Sequence, residues 1–213
     1  MPPAAPPRRS ALQQRRSRDT RRKLIRSALE LWGERGFEEA FEETTAEEIA
    51  RAAGVSKGTF YFHFARKDDI LLEMPWVTAE IMIEEADAAM GRQEPTLAVV
   101  DQLMTSLARR VGRAPRAAVL RVIGHWSRLL HSGAEPAPRG FGEAFHAVAG
   151  YGVARGDLPP ATEADELAFL LQAATMDALV RWAATAQSAG ALRSTLSRRA
   201  EVVLRGAAAS YGT

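Results

Sequence analysis

Two helix-start signals stand eleven residues apart, with one glycine between them, in the N-terminal third of this 213-residue chain. Thr45 and Glu48 form a capping box, in which the hydroxyl accepts from the backbone amide three residues later and the glutamate reaches back. Gly54 provides the left-handed backbone that ends the first helix, and Ser56 is the N-cap of the second. Two short helices joined by a tight turn fit this spacing, which is the pattern of a helix-turn-helix.

Apolar residues around this pattern predict a three-helix unit. A first helix is expected to begin at Asp19 or Thr20 and to end at Gly36, because apolar residues recur there at helical spacing. In the third helix, Phe60 and Phe64 lie four residues apart and form the inner face. The residues between these two phenylalanines must therefore point away from the core.

The outward residues of the third helix carry hydrogen-bond donors. They are Ser56, Lys57, Thr59, Tyr61 and His63. The free amides and positive dipole end of a helix start suit phosphate, and Gly58 allows a sugar–phosphate wall to approach closely. Thr59 and Tyr61 could reach base edges in the major groove. The alternative is that Tyr61, Phe62 and His63 pack a small core, and the pattern leaves Phe62 open between the two.

The rest of the chain has helical periodicity, with glycine and proline at the breaks and no period-two strand pattern. Helices are predicted at 68–90, 96–111, 116–132, 140–155 and 162–187, with a last one ending near residue 209. The predicted fold class is all-α. We expect a basic flexible arm at 1–18, a helix-turn-helix domain at 19–72 and a larger helical domain at 73–213.

Positive charge is concentrated at the N-terminus. Residues 1–26 hold nine basic side chains and one acid, a net charge of +8, so the remainder carries −6 within a total of +2. A basic segment joined to a mildly acidic body is expected of a protein whose N-terminal end meets a polyanion. The alternative is a solvated tail that binds nothing.

The sequence lacks the motifs that are typical of several function classes. The chain has no cysteine, which excludes disulfides and cysteine-ligated metals. No apolar run reaches membrane-spanning length and no secretory signal pattern is present, so we expect a cytoplasmic protein with no membrane partner. Metal-binding histidine spacing, nucleotide-binding glycine loops and nucleophile turns are also missing. We therefore predict no enzyme activity, no metal and no cofactor.

The segment TTAEEIARAAGVSKGTFYFHFARKDDIL resembles the DNA-binding domain of the TetR family of bacterial transcriptional regulators, and the resemblance covers residues 20–72. It implies three N-terminal helices that bind DNA, followed by helices that hold a ligand pocket and form a dimer. Backbone contacts with DNA are implied for Thr44 or Thr45, Lys57, Gly58 and Lys67. Phosphate contacts are implied for Tyr61 and His63, and base readout for Ser56, Thr59 and Phe62.

Three features depart from the family pattern. Six residues separate Gly36-Phe37 from Thr44-Thr45, which indicates an extra turn in the first connection and weakens the assignment of Thr44. Arg66 replaces the small capping residue before the lysine, which leaves the reach of Lys67 open. The basic arm is longer than the minimal pattern, and we expect it to add nonspecific affinity or to enter a minor groove.

The second domain offers candidates for a pocket and an interface. A largely apolar pocket with a few polar tips is expected among Met104, Leu107, Val122, Trp126, Leu129, Phe141, Phe145, Phe169, Met176, Trp182, His125, His146, Gln172 and Asp177. Three alternatives remain open for the Asp177 carboxylate: it faces a cationic ligand, it forms an ion pair with Arg181, or it is simply exposed to solvent. Apolar stripes on the last two helices are assigned to a homodimer interface, the alternative being the subunit's own core. They comprise Leu167, Leu170, Leu171, Ala174, Ala178 and Trp182, then Leu192, Leu196, Val203 and Ala207.

Together these features predict a homodimeric regulator that binds a palindromic double-stranded DNA operator. We expect a repressor that is released when a small, largely apolar effector binds. Two alternatives remain open: a DNA-binding protein that senses no ligand, and a helical scaffold or enzyme that retains a DNA-binding domain.

Overall fold

The computed structural model describes residues 9–34, 37–131, 141–185 and 187–210, and it describes no side chains at 9–12, 34 and 125–131. Within these ranges every regular element is an α-helix. In chain order they are α1 (Arg9–Glu34), α2 (Phe37–Glu43), α3 (Ala46–Ala52), α4 (Lys57–His63), α5 (Asp68–Gly91), α6 (Thr96–Val111), α7 (Arg116–His131), α8 (Phe141–Arg155), α9 (Ala164–Ala184) and α10 (Ala189–Ser210). The chain divides into two compact units, 1–73 and 74–213.

Two features of the first unit differ from expectation. Helix α1 begins at Arg9, so the predicted start near Asp19 was too late. The reason is composition, since the residues from Arg9 to Arg18 are mostly arginine, glutamine, leucine and alanine, which favour helix. The predicted extra turn is a seven-residue helix, α2. Residues 1–8 of the predicted arm and the predicted stop at Gly36 lie outside the described residues.

Helix α2 adds aromatic side chains to the core of the first unit. Phe37, Ala40 and Phe41 follow one another at helical spacing and are buried. The ring of Phe41 packs edge-on against Trp32 of α1, with the centroids 4.9 Å apart. Helices α3 and α4 pack against each other and α3 packs on α1, with Ile49 and Phe60 fully buried. This packing supports the surface that α4 presents.

The second unit is built around α6, α9 and α10. Helix α10 packs on both α6 and α9, and α9 also packs on α7 and α8. Helix α9 is, among the described helices, the one long and apolar enough to cross a membrane. However, Leu167, Leu171 and Trp182 of α9 are at most 3% exposed and belong to the core of this unit. Packing within the subunit therefore accounts for part of the apolar character of α9, while Phe169 and Leu170 of the same helix are exposed.

Two long-range contacts close helix ends in the second unit. The Asp157 carboxylate accepts from the backbone N–H of Thr96 at 2.8 Å and from its hydroxyl at 2.9 Å, so it caps the start of α6. The Arg116 guanidinium at the start of α7 donates to the carbonyl of Trp182 at 2.6 Å and stacks 4.3 Å from its ring centroid. It also donates to the carbonyls of Thr185 and Gln187. These contacts fix where α6 begins and where α9 ends.

Candidate nucleic-acid interface

The turn between α3 and α4 has the predicted capping geometry. The Thr45 hydroxyl accepts from the Glu48 amide at 3.2 Å, and a Glu48 carboxylate oxygen accepts from the Thr45 amide at 2.8 Å. Gly54 has a φ of +69°, a conformation that other residues rarely adopt. The Val55 amide donates back to the Ala50 carbonyl at 2.9 Å, which closes the turn. The predicted helix-turn-helix is therefore confirmed at the level of the backbone.

Helix α4 buries one side chain and exposes its aromatic neighbours. Phe60 is fully buried, whereas Tyr61 is 51% and Phe62 is 80% exposed. His63 is half-buried and Gly58 is exposed. A phenylalanine that exposes four-fifths of its surface does not serve the core, so the packing alternative left open for Phe62 is wrong. The exposed residues form a continuous face, which we call the α4 face: Lys57, Gly58, Tyr61 and Phe62.

Four hydroxyls near the α4 face already take part in local hydrogen bonds. Ser56 is the N-cap of α4: its Oγ accepts from the Thr59 amide at 3.1 Å and lies 2.8 Å from the Thr59 hydroxyl. Thr45 takes part in the capping box, and the Thr44 hydroxyl donates to the Ala40 carbonyl. These side chains hold helix ends in place, and a hydroxyl still has accepting capacity for a further partner.

Lysine 57 of the α4 face is paired within the subunit. Its Nζ lies 3.0 Å from a carboxylate oxygen of Glu47 on α3, and both side chains are more than half exposed. The hydrogen bond and charge of Glu47 raise the pKa of Lys57 above its usual value. Sequence reasoning missed Glu47, although it stands next to Glu48 of the capping box. Exposed pairs of this kind are weak, so a phosphate can compete for this ammonium group.

Histidine 63 lies next to a cation of α1. Burial lowers the pKa of His63 below its usual value, and the nearby Arg21 guanidinium lowers it further. Arg21 also lies over the Phe64 ring, 5.7 Å from the centroid, and is ion-paired with Glu73. His63 is therefore mostly neutral near pH 7, and a neutral imidazole can still donate one hydrogen bond to a phosphate oxygen.

Lysine 67 is engaged by backbone carbonyls. Its Nζ donates to the carbonyls of Glu42 at 2.7 Å and of Thr44 at 3.2 Å, and also to that of Phe41. Sequence reasoning placed Lys67 beside a phosphate and missed its partners on α2. The signal available was the spacing of Phe37, Ala40 and Phe41, which is a single helical repeat and too short to mark a helix end.

The structure places the described ligand-binding candidates on four helices, α6 to α9, at different depths. Met104, Leu107 and Phe145 are fully buried in the core, and Val122 is 8% exposed. Phe141, Gln172 and Met176 are half-buried, and Phe169 is exposed. His146 is exposed and lies 3.2 Å from an Asp165 carboxylate oxygen. The side chains of His125, Trp126 and Leu129 lie outside the described residues, so the pocket stays a prediction.

Asp177 is exposed on α9 and carries two ion pairs. Its carboxylate lies 2.6 Å from Arg199 and 2.9 Å from Arg181. The hydrogen bond from Arg199, followed by that from Arg181, lowers the pKa of Asp177. Of the three alternatives left open for this residue, pairing at an exposed position is the one observed. In the described part of the chain, no three histidine or acidic side chains cluster as metal ligands would.

The apolar stripes assigned to a dimer interface mostly face the subunit's own core. Leu171, Ala178, Leu192 and Leu196 are at most 2% exposed, so the interface assignment was wrong for these side chains. The physical reason is that α9 and α10 pack on each other and on α6 and α8 with these faces. Other apolar side chains of the same two helices are exposed, together with Leu170 of the predicted stripe. We call this set the outer face: Phe169, Leu170, Val180 and Val202.

Comparison with known proteins identifies relatives of the N-terminal unit. Residues 24–74 match the sequence model described as bacterial regulatory proteins, tetR family. The HTH-type transcriptional regulator TcmR of Streptomyces glaucescens is 48% identical over 61 residues, 29% of this chain and 25% of TcmR. The regulator AcrR of Shigella flexneri is 35% identical over 71 residues, 33% of this chain and 31% of AcrR. The matched segment thus spans a quarter to a third of these relatives.

Solved structures are similar over most of the chain. Thermus thermophilus FadR, a TetR-family transcriptional repressor solved with lauroyl-CoA, aligns with a TM-score of 0.59 and 26% identity, covering 87% of this chain and 94% of FadR. SmeT, the repressor of the Stenotrophomonas maltophilia efflux pump SmeDEF, aligns with a TM-score of 0.55 and 18% identity, covering 91% and 92%. The likeness to SmeT shows the fold alone. These structures confirm the predicted all-α class with an N-terminal helix-turn-helix domain.

Proposed function

We propose that this chain, a member of the tetR family of bacterial regulatory proteins, is a homodimeric repressor that leaves its operator when a small apolar effector binds. The observation that carries the proposal is the α4 face, where exposed aromatic and cationic side chains stand on a helix held by a capped turn. Exposed aromatic side chains lower the solubility of a protein and do not stabilise its core. We therefore attribute the α4 face to the binding of a partner. Double-stranded DNA fits its charge and shape.

Roles on the DNA follow from position on the helix-turn-helix. We assign phosphate contacts to Thr44, Thr45, Lys57, Tyr61 and His63, with backbone approach at Gly58. Base readout is assigned to three side chains: Ser56, Thr59 and Phe62. The exposed Phe62 ring offers an apolar surface of the kind that contacts a thymine methyl group.

A dimer through the last two helices would bring two α4 faces to one operator. The outer face provides Phe169 and Val202, which are 64% and 65% exposed, on helices that are otherwise well packed. In a twofold dimer the same patch is used by both subunits, so an apolar face on adjacent helices can pack against its own copy. Two recognition helices then read half-sites about 34 Å apart.

The second unit suits an effector with an apolar portion. Thermus thermophilus FadR, which shares 26% identity over 87% of this chain, was solved with lauroyl-CoA. The apolar candidates on α6, α8 and α9 suit a hydrocarbon chain better than a polar ligand. We therefore propose an effector with a long apolar portion and take lauroyl-CoA as the first probe.

Fluorescence anisotropy with the DNA upstream of the coding sequence tests the proposal. We expect tight binding to this duplex, weak binding to a scrambled duplex, and release of the specific complex by lauroyl-CoA or by another apolar compound in a panel. Equal, salt-sensitive binding to both duplexes would contradict sequence-specific repression and would favour a DNA-binding protein that senses no ligand. No binding to either duplex would favour a scaffold or an enzyme.

A further inference from the structure

The ammonium group of Lys67 has no hydrogen-bond donor left for a phosphate. A lysine ammonium has three N–H donors. Its Nζ donates to the carbonyls of Glu42 at 2.7 Å and Thr44 at 3.2 Å, and the third carbonyl partner is Phe41. The same atom lies 5.0 Å from the centroid of the Phe41 ring, a favourable place for a cation.

The sequence explains why this cation is needed where it lies. The last turn of a helix leaves its carbonyls without intrahelical partners, and α2 has only seven residues. Helix α2 also carries acidic residues in its first turn and no basic residue in its last turn. Its negative C-terminal end therefore lacks a cation of its own, and Lys67, 25 residues after Glu42, supplies one.

The three carbonyls connect the end of α2 to the start of the helix-turn-helix. Thr44 lies between Glu43, the last residue of α2, and Thr45, the N-cap of α3. A single ammonium group thus holds the end of one helix and the entry to the next. We call this arrangement the Lys67 clamp: the Lys67 ammonium with the carbonyls of Phe41, Glu42 and Thr44.

We propose that Lys67 is a positioning residue for DNA recognition and not a phosphate ligand. It fixes the end of α2 relative to the N-terminus of α3. The inference deepens the proposed function and rests on it. A phosphate could bind this ammonium only by displacing one of the three carbonyls. Removal of the clamp should therefore impair discrimination between operator and scrambled DNA, while the same phosphates are still bound by the protein.

The clamp can be tested directly in the free protein. The chain has only three lysines, Lys23, Lys57 and Lys67, so a ¹⁵N spectrum of lysine ammonium groups contains at most three signals. We expect the Lys67 signal to be protected from proton exchange without DNA and to keep its shift when operator is added. The Lys57 signal should move on addition. Lys57→Arg and Lys67→Arg assign the peaks, and an unprotected Lys67 signal that moves with DNA would overturn the inference.

The dependence of DNA affinity on salt distinguishes a positioning residue from a phosphate ligand. For Lys67→Met we expect roughly tenfold weaker operator binding, unchanged binding to scrambled DNA and an unchanged slope of log K against log salt. Lys57→Met is the matched control, and its slope should fall by about 0.9 for each phosphate that the variant no longer neutralises. An equal fall for Lys67→Met would contradict the clamp. Should wild-type protein fail to discriminate operator, the proposed function fails, whereas the free-protein spectrum still tests the clamp.

Discussion

Single residues around α4 divide into those that hold the turn and those that are free to meet a partner. Ser56 and Thr45 cap helices, and Phe60 fills the core. Phe62 is largely exposed, and Tyr61 is half exposed with its ring edge-on to Phe60. Substitution at the first group should therefore cost stability, and substitution at the second should cost recognition.

Phe62 should contribute to DNA recognition without contributing to the stability of the fold. For Phe62→Ala we expect operator binding to weaken by about 1–3 kcal/mol, the usual cost of one mismatched base pair, with scrambled-DNA binding and the melting temperature unchanged. Phe60→Ala is the contrasting control, because removal of a fully buried ring should destabilise the unit by about 3–5 kcal/mol. Anisotropy and thermal unfolding measure both effects. Equally weakened binding to both duplexes would rule out a readout role for Phe62.

His63 should make DNA binding depend on pH. Burial and Arg21 lower its pKa in the free protein, so the ring is mostly neutral near pH 7. A phosphate next to the ring favours the charged form and raises the pKa in the complex. The complex then binds more protons than the free protein, and affinity should rise as pH falls from about 7.5 to about 5.5, the range in which histidine titrates. His63→Gln should flatten this profile, and an unchanged profile would show that another group is responsible.

Among the elements, α6 depends on a residue from a distant part of the chain. Pro95, at its N-cap position, provides no side-chain hydrogen bond, and Asp157 accepts from Thr96 instead. The hydrogen bond from the Thr96 backbone is the main reason why the pKa of Asp157 is lowered. The cap thus ties the start of α6 to the residues that follow α8.

Asp157→Ala should reduce the free energy of unfolding by about 1 kcal/mol, the typical cost of removing an N-cap. Because the folded-state pKa of this carboxyl is depressed, its contribution is fully present above the unfolded pKa of about 3.9 and is lost as pH falls through the lower folded-state pKa. Urea unfolding of wild type and variant in steps from about pH 7 to about pH 2 measures how the difference decreases. Asp101→Ala, at an exposed position on α6, is the control. A difference that persists in acid would contradict a role for the ionised cap.

The helices predicted well from the sequence are those whose ends are marked by proline or glycine. Residues 96–111 were predicted as a helix, and α6 has those bounds because a proline precedes it and a glycine follows it. Helix α2 was missed because seven residues give too few turns for periodicity to show. Helix α1 was predicted too short because its first half has no apolar face. The orientation of α9 and α10 depends on which neighbour each stripe meets, and periodicity alone does not determine that.

For the whole molecule, the proposed dimer rests on the outer face of α9 and α10. Val202→Glu should weaken the dimer at least tenfold, because two buried carboxylates near a twofold axis would repel each other. Sedimentation equilibrium measures the association, and operator binding should weaken in parallel. Leu97→Glu, at a 40% exposed position on α6, is the control. A monomeric wild-type protein, or a fully dimeric Val202→Glu variant, would exclude this face as the interface.

The single buried residue of α4 has a consequence for how the operator preference could change over generations. Helix α4 is held by Phe60 and by the Ser56 cap, so the exposed position Phe62, which follows Phe60, is under little demand from folding. Mutations at Phe62, which we assign to base readout, can then alter which bases are preferred while the domain stays folded. After gene duplication, one copy can therefore acquire a new operator preference through a few substitutions that leave the stability of the domain unchanged.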